Sequence, residues 1–169
     1  MAGMETGETI MSNNQPRQTK VNVILKSVDP NEEAKFELQP TGDDPLPPPN
    51  GPNQTLTFKN DPNGVPHNGV NIDFVLIDQT GQGYAFPPNN KKSDAVSSKL
   101  GATDSCPPHG TNDVFTPFNV SQDNSTLSVH NPNQGALTGP FSYVLWVRKD
   151  GGGKYVPLDP GGNNMNGAI

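Results

Sequence analysis

The sequence predicts an all-β fold, an antiparallel two-sheet β-sandwich. Three observations carry that expectation. Eighteen Gly and 19 Pro punctuate the whole length, which leaves no room for long helices and favours short strands between turns. The stretches between these breaks are compact β-branched and aromatic runs, although only 30% of the residues are hydrophobic. The segment Phe141 to Asp159 reads as two strands joined by a glycine-rich turn, with Phe141, Tyr143, Leu145 and Val147 alternating against Ser142, Val144, Trp146 and Arg148. A period of two is what a strand with one buried face requires. A chain of 169 residues supports one domain with a proper core.

Met1 to Lys20 is polar and has neither helical nor strand periodicity, so it reads as a flexible tail. Met4 and Met11 read as candidate alternative starts. The expected domain runs from Val21 to Pro160, followed by a second tail from residue 161 to residue 169. Val21 to Val28 is the first strand, with Val21, Val23 and Leu25 on one face, and Asp29 to Glu32 turns the chain. Ala34 to Leu38 answers it, its apolar Ala34, Phe36 and Leu38 separated by Lys35 and Glu37. Pro40 to Asn53 is too proline-rich to join a ladder and reads as a surface crossover.

Thr55 to Lys59 is a short strand with Leu56 and Phe58 inward, and Asn71 to Asp78 is a strand apolar enough on both faces to be central. Tyr84 to Pro88 adds a short edge, while Ser93 to Leu100 fits either one helical turn or a loop. Val114 to Val120 and Thr126 to His130 pair around a turn at Ser121 to Asn124, before the closing hairpin at Phe141. This gives about seven or eight strands with long connections after the second and fourth, a spacing that suits Greek-key order.

Charge and composition narrow the function classes. Eleven basic and 17 acidic side chains leave a net charge of -6, and no cationic face gathers beyond Lys91 and Lys92. A nucleic-acid partner is therefore not expected, because phosphate binding needs concentrated positive charge. No apolar run is long enough for a membrane helix or a secretory signal, so a soluble, cytoplasmic protein without a membrane partner is expected. The triplets beginning at Asn53, Asn119 and Asn124 match the glycosylation pattern and read as chance in an Asn-rich chain.

One cysteine, Cys106, excludes an intrachain disulfide framework. It leaves a free thiol, a mixed metal ligand or an intermolecular bridge. Val65-Pro66-His67-Asn68 and Cys106-Pro107-Pro108-His109 together resemble the ligand motifs of cupredoxins, the small blue-copper electron carriers. The resemblance implies His67, Cys106 and His109 as a trigonal set suited to copper. The chain departs from the family in having no Met shortly after His109, and in the strands that still follow Cys106. The end of the chain, from Pro157 to Gly167, also looks like that of small bacterial β-sandwich proteins of unassigned role, the DP-EP group among them. Both resemblances imply an Ig-like or cupredoxin-like sandwich.

No phosphate-cradling loop, dinucleotide fingerprint or nucleophile elbow occurs. Asp61 to Gly64 starts like a calcium loop but continues with Val65 and Pro66, which offer no side-chain oxygen. His130 reads as a surface histidine at a sheet margin. The leading expectation is a non-catalytic binding or assembly module with no cofactor, acting on a protein partner or on itself as a homo-oligomer. A mononuclear copper electron-transfer protein is the alternative, and a hydrolase using Cys106 with a histidine is the third reading.

Overall fold

A computed structural model describes residues 15–42, 45, 56–58, 68–101, 107–133, 139–150, 152–159 and 161–164. The described residues are mostly β and form two sheets. The first has five strands: β1 (Arg17–Ser27), β2 (Lys35–Pro40), β4 (Val70–Asp78), β7 (Thr116–Val120) and β8 (Thr126–Asn131), in the order β2-β1-β4-β8-β7. The second has six strands: β3 (Leu56–Phe58), β5 (Tyr84–Ala85), β6 (Val96–Leu100), β9 (Gly139–Lys149), β10 (Val156–Leu158) and β11 (Gly161–Asn164). The long strand β9 organises this sheet. Strands β10 and β11 pair with it in series along one side, and β5 and β6 along the other. A short 3-10 helix, Asn89–Asp94, precedes β6.

The inward set read in β9 is the one that folds, but its other face is not all open to solvent, since Ser142 and Val144 are buried as well. Phe141, Tyr143, Leu145 and Val147 enter the core. Side chains from both sheets share that core: Phe74 of β4 lies 6.1 Å from Tyr143 of β9, and Phe115 sits 5.0 Å from Tyr143 and 5.2 Å from Phe141. Strand β4 is central, between β1 and β8. It is not buried on both faces, however: Val75 is half-buried and Ile77 exposed, because the outer face of this sheet faces solvent.

Two pairings differ from an all-antiparallel expectation. Strands β1 and β4 run parallel over nine residue pairs, from Arg17↔Val70 to Leu25↔Asp78, and β11 runs parallel to β3. Parallel neighbours need a long connection, and the chain between β2 and β4 supplies it. The same pairing starts β1 at Arg17 rather than Val21, since Arg17 to Lys20 is held by backbone bonds to β4 and by Arg17 N–H donating to the Gly69 carbonyl at 3.0 Å. Residues 161–164, expected in the tail, form β11 against Ser142 to Gly139.

Strand β6 replaces the expected turn or loop. Its Ser97 and Ser98 are fully buried, a position polar side chains hold only when hydrogen-bonded. Ser97 Oγ donates to the Pro107 carbonyl at 2.7 Å, while Ser98 Oγ accepts the Val114 and Phe115 N–H groups at 3.2 and 2.9 Å. Ahead of β4, Gly69 adopts φ +75°, and an added Cβ would stand 2.3 Å from the Asn131 carbonyl oxygen. Only glycine fits there. No helix among the described residues is long and apolar enough to cross a membrane.

Candidate functional site

Among the described residues, a half-open groove of about 1270 Å³ has room for a ligand, where the edge strands β2 and β10 lie on the same side of the molecule. Three local structures build it. The β1–β2 turn is closed by Asp29, whose carboxylate accepts the Asn31 N–H at 2.9 Å while its carbonyl accepts the Glu32 N–H at 3.2 Å. Such Asx turns are what Asp-Pro-Asn favours. The loop after β4 is wound around Asp78, whose carboxylate accepts N–H groups of Thr80, Gly83 and Tyr84 at 2.9, 3.1 and 2.9 Å. Burial pulls the Asp78 carboxyl upward, but the bonds from Thr80, Tyr84 and Gly83 outweigh it and hold it below the usual carboxylate range.

The third piece is the hairpin between β9 and β10. Gly152 N–H donates to the Lys149 carbonyl at 3.0 Å, and Gly152 and Gly153 take φ +137° and +104°. Asp150 N–H donates to the Gly83 carbonyl at 2.8 Å, which ties this hairpin to the Asp78 loop. The floor between them is apolar: Val28, Ala34, Phe36, Tyr84 and Val156 are half-buried against the core. The lips are charged. Asp29, Glu32 and Glu33 stand on the β1–β2 turn with Lys35 beside them, and Lys149 and Lys154 on the opposing hairpin with Asp159 beside them, all exposed. An ion pair of Lys26 with Glu37, 3.1 Å, lies at the start of the groove, but no ion pair among the described residues joins the acidic lip to the basic one.

Tyr155 connects the groove to an aromatic cluster on the outer face of the second sheet. The Arg148 guanidinium lies 5.0 Å over its ring, and His109 meets it edge-on at 4.8 Å. His109 also packs on Trp146, ring centroids 4.0 Å apart. Trp146 is fixed in turn, its indole N–H donating to Ser97 Oγ at 3.0 Å, the hydroxyl that holds the Pro107 carbonyl. Sequence periodicity had already put Trp146 and Arg148 in the outward phase of β9. Burial raises the Tyr155 phenol above its usual range, Arg148 opposes this, and Asp94, which accepts its hydroxyl at 3.4 Å, adds to it.

Of the three residues in the copper motif, His67 and Cys106 lie outside the described residues. His109 is described, exposed on the Pro107–Gly110 turn, with its ring against Trp146 and Tyr155. Among the described residues no three His, Cys, Asp or Glu side chains gather as a metal site. His130 is not the free surface histidine expected. Its Nδ1 lies 2.7 Å from Asn71 Oδ1, and burial lowers its pKa. Ser128, next to it on the same face, donates to Asp73 at 2.6 Å rather than to the imidazole.

No protein-family model matches the chain, and no curated protein matches its sequence.

Proposed function

We propose that this chain is a non-catalytic β-sandwich of Ig-like or cupredoxin-like Greek-key type, a binding or assembly module that takes a protein surface in the groove between β2 and β10. The observation that carries the reading is the groove itself: an apolar floor, lips bearing exposed charges of both signs, and Tyr155 at one side. Apolar centres with polar rims and aromatic anchors are the anatomy of protein contact surfaces.

The edge strand on one wall is closed to strand addition. Trp146 donates its N–H to the Ala95 carbonyl at 2.8 Å, on the β6 side of β9. Leu145 and Val147 therefore turn their backbone toward β10, and Pro157, opposite Trp146, aims its nitrogen away from β9. A proline there removes the donor that an added strand would use. Recognition at this wall rests on side chains.

Carbene footprinting of the protein in buffer and in extract of its host tests the reading. Phe36, Tyr84 and Tyr155 are expected to lose labelling in extract, while Ile77 and Phe118, on the outer side of the first sheet and at its edge, keep theirs. Equal labelling of all five in both media would overturn it.

A further inference from the structure

We infer that the partner in the groove is a second copy of this chain, bound about a twofold axis so that the basic hairpin of each copy lies on the acidic turn of the other. This rests on the groove being a contact surface. A twofold interface must be self-complementary, each part of the patch meeting its counterpart after a half turn. This patch satisfies the condition by charge. Glu32 and Glu33 stand on one lip and Lys149 and Lys154 on the opposite one, all exposed, with no ion pair between these four among the described residues. A half turn about an axis through the groove places the lysine lip over the glutamate lip twice.

The shapes agree with the charges. The hairpin carries Gly152 and Gly153, which add no side-chain bulk where it meets the partner's groove. The groove accepts it along a floor of Phe36 and Tyr84, rings that are half-buried in the single chain. The Glu32, Glu33, Lys149 and Lys154 side chains have no ion-pair partner among the described residues, whereas Lys26 and Glu37 already neutralise one another at 3.1 Å. Pro157 excludes one competing arrangement, a continuous sheet through β10.

The test is a charge exchange followed by sedimentation equilibrium of the purified full-length chain. The wild type is expected to dimerise, with a dissociation constant that rises as salt is raised from about 0.05 to about 0.5 M, since exposed lip charges are screened. Glu32→Lys with Glu33→Lys makes both lips basic, and Lys149→Glu with Lys154→Glu makes both acidic. Each double variant is expected to weaken self-association about tenfold or more, because like charges then face one another. Mixed in equal amounts, the two variants should form a heterodimer at wild-type affinity. That recovery also shows that both variants fold.

Three results overturn the inference. One is a monomeric wild type; another is a dimer indifferent to both exchanges; the third is two weakened variants that do not recover on mixing. If the purified chain is monomeric while Phe36, Tyr84 and Tyr155 are shielded in host extract, the groove remains a contact surface for a different protein and only the second-copy assignment fails. If the groove stays fully labelled in both, the binding reading fails with it.

Discussion

Tyr143→Phe is expected to stabilise the protein. Tyr143 is completely buried at the centre of the shared core, and its hydroxyl is a buried polar atom without a hydrogen-bond partner among the described residues. Leaving a hydroxyl unpaired in an apolar interior costs about 1–3 kcal/mol on mutational scales. The ring itself keeps its neighbours after substitution: Phe74 at 6.1 Å, Phe115 at 5.0 Å and Phe141 at 5.8 Å. Against the gain stands a void the size of one oxygen, smaller than a methyl group, which costs under about 1 kcal/mol. The net gain is about 1 kcal/mol. In urea, with a slope of about 1–3 kcal/mol/M for a protein of this class, the midpoint moves up by about 0.5 M at unchanged slope. The same burial, with Asp159 adding to it, raises the phenol well above its ordinary range. A raised phenol pKa means that the unfolded chain releases this proton first. Stability is therefore complete below the unfolded value and falls as pH rises above it, and the substitution should remove that part of the alkaline loss. A destabilised Tyr143→Phe would refute the argument, because it would mean the hydroxyl is satisfied in solution.

Three further outcomes follow from the same geometry. Gly69→Ala should cost about 3 kcal/mol or more, as a thermal or urea shift, because it combines a left-handed φ with a Cβ pressed on the Asn131 carbonyl; a loss within about 0.5 kcal/mol would show that β4 and β8 are not held as described. Hydrogen bonds from Ser121 and Ser125 bring the Asp123 carboxyl down from 3.8 to about 2, so a carboxyl-detected NMR titration should find its midpoint there. The stabilisation it gives is present above the unfolded value and lost as pH falls through the folded one, and Asp123→Asn should abolish that acid-side slope. The chain has one tryptophan, so His109→Ala, which uncovers the Trp146 ring now 4.0 Å away, should shift its fluorescence to the red and make it easier to quench with acrylamide. An unchanged spectrum would mean the 107–110 turn does not rest on Trp146.

The parts of the fold written in side-chain alternation were legible. In β9 Phe141, Tyr143, Leu145 and Val147 repeat at every second position, and in β1 the inward set Val21, Val23 and Leu25 is the buried set. What escaped was held by backbone or hydroxyl groups. Strand β11 begins with two glycines, and the start of β1 is polar; both are strands through their ladder partners. Strand β6 carries Ser97 and Ser98 into the interior, a placement decided by the Pro107 carbonyl and the Val114 and Phe115 amides, which lie at least ten positions away. The groove was illegible for a related reason. Its lips come from two turns more than a hundred residues apart in sequence, brought together because β2 and β10 are edges of different sheets on one side. His109 stood out in the sequence beside Cys106, yet its contacts in the structure are with Trp146 and Tyr155, residues that pattern alone marked only as outward strand positions.

The most direct test of the central claim is the footprint of the groove as the purified chain is concentrated and then placed in host extract. The account predicts that Phe36, Tyr84 and Tyr155 are labelled when dilute and shielded together on concentration, while Ile77 and Phe118 are labelled throughout. Labelling of the groove that never falls, with shielding on the Ile77 face instead, would contradict it.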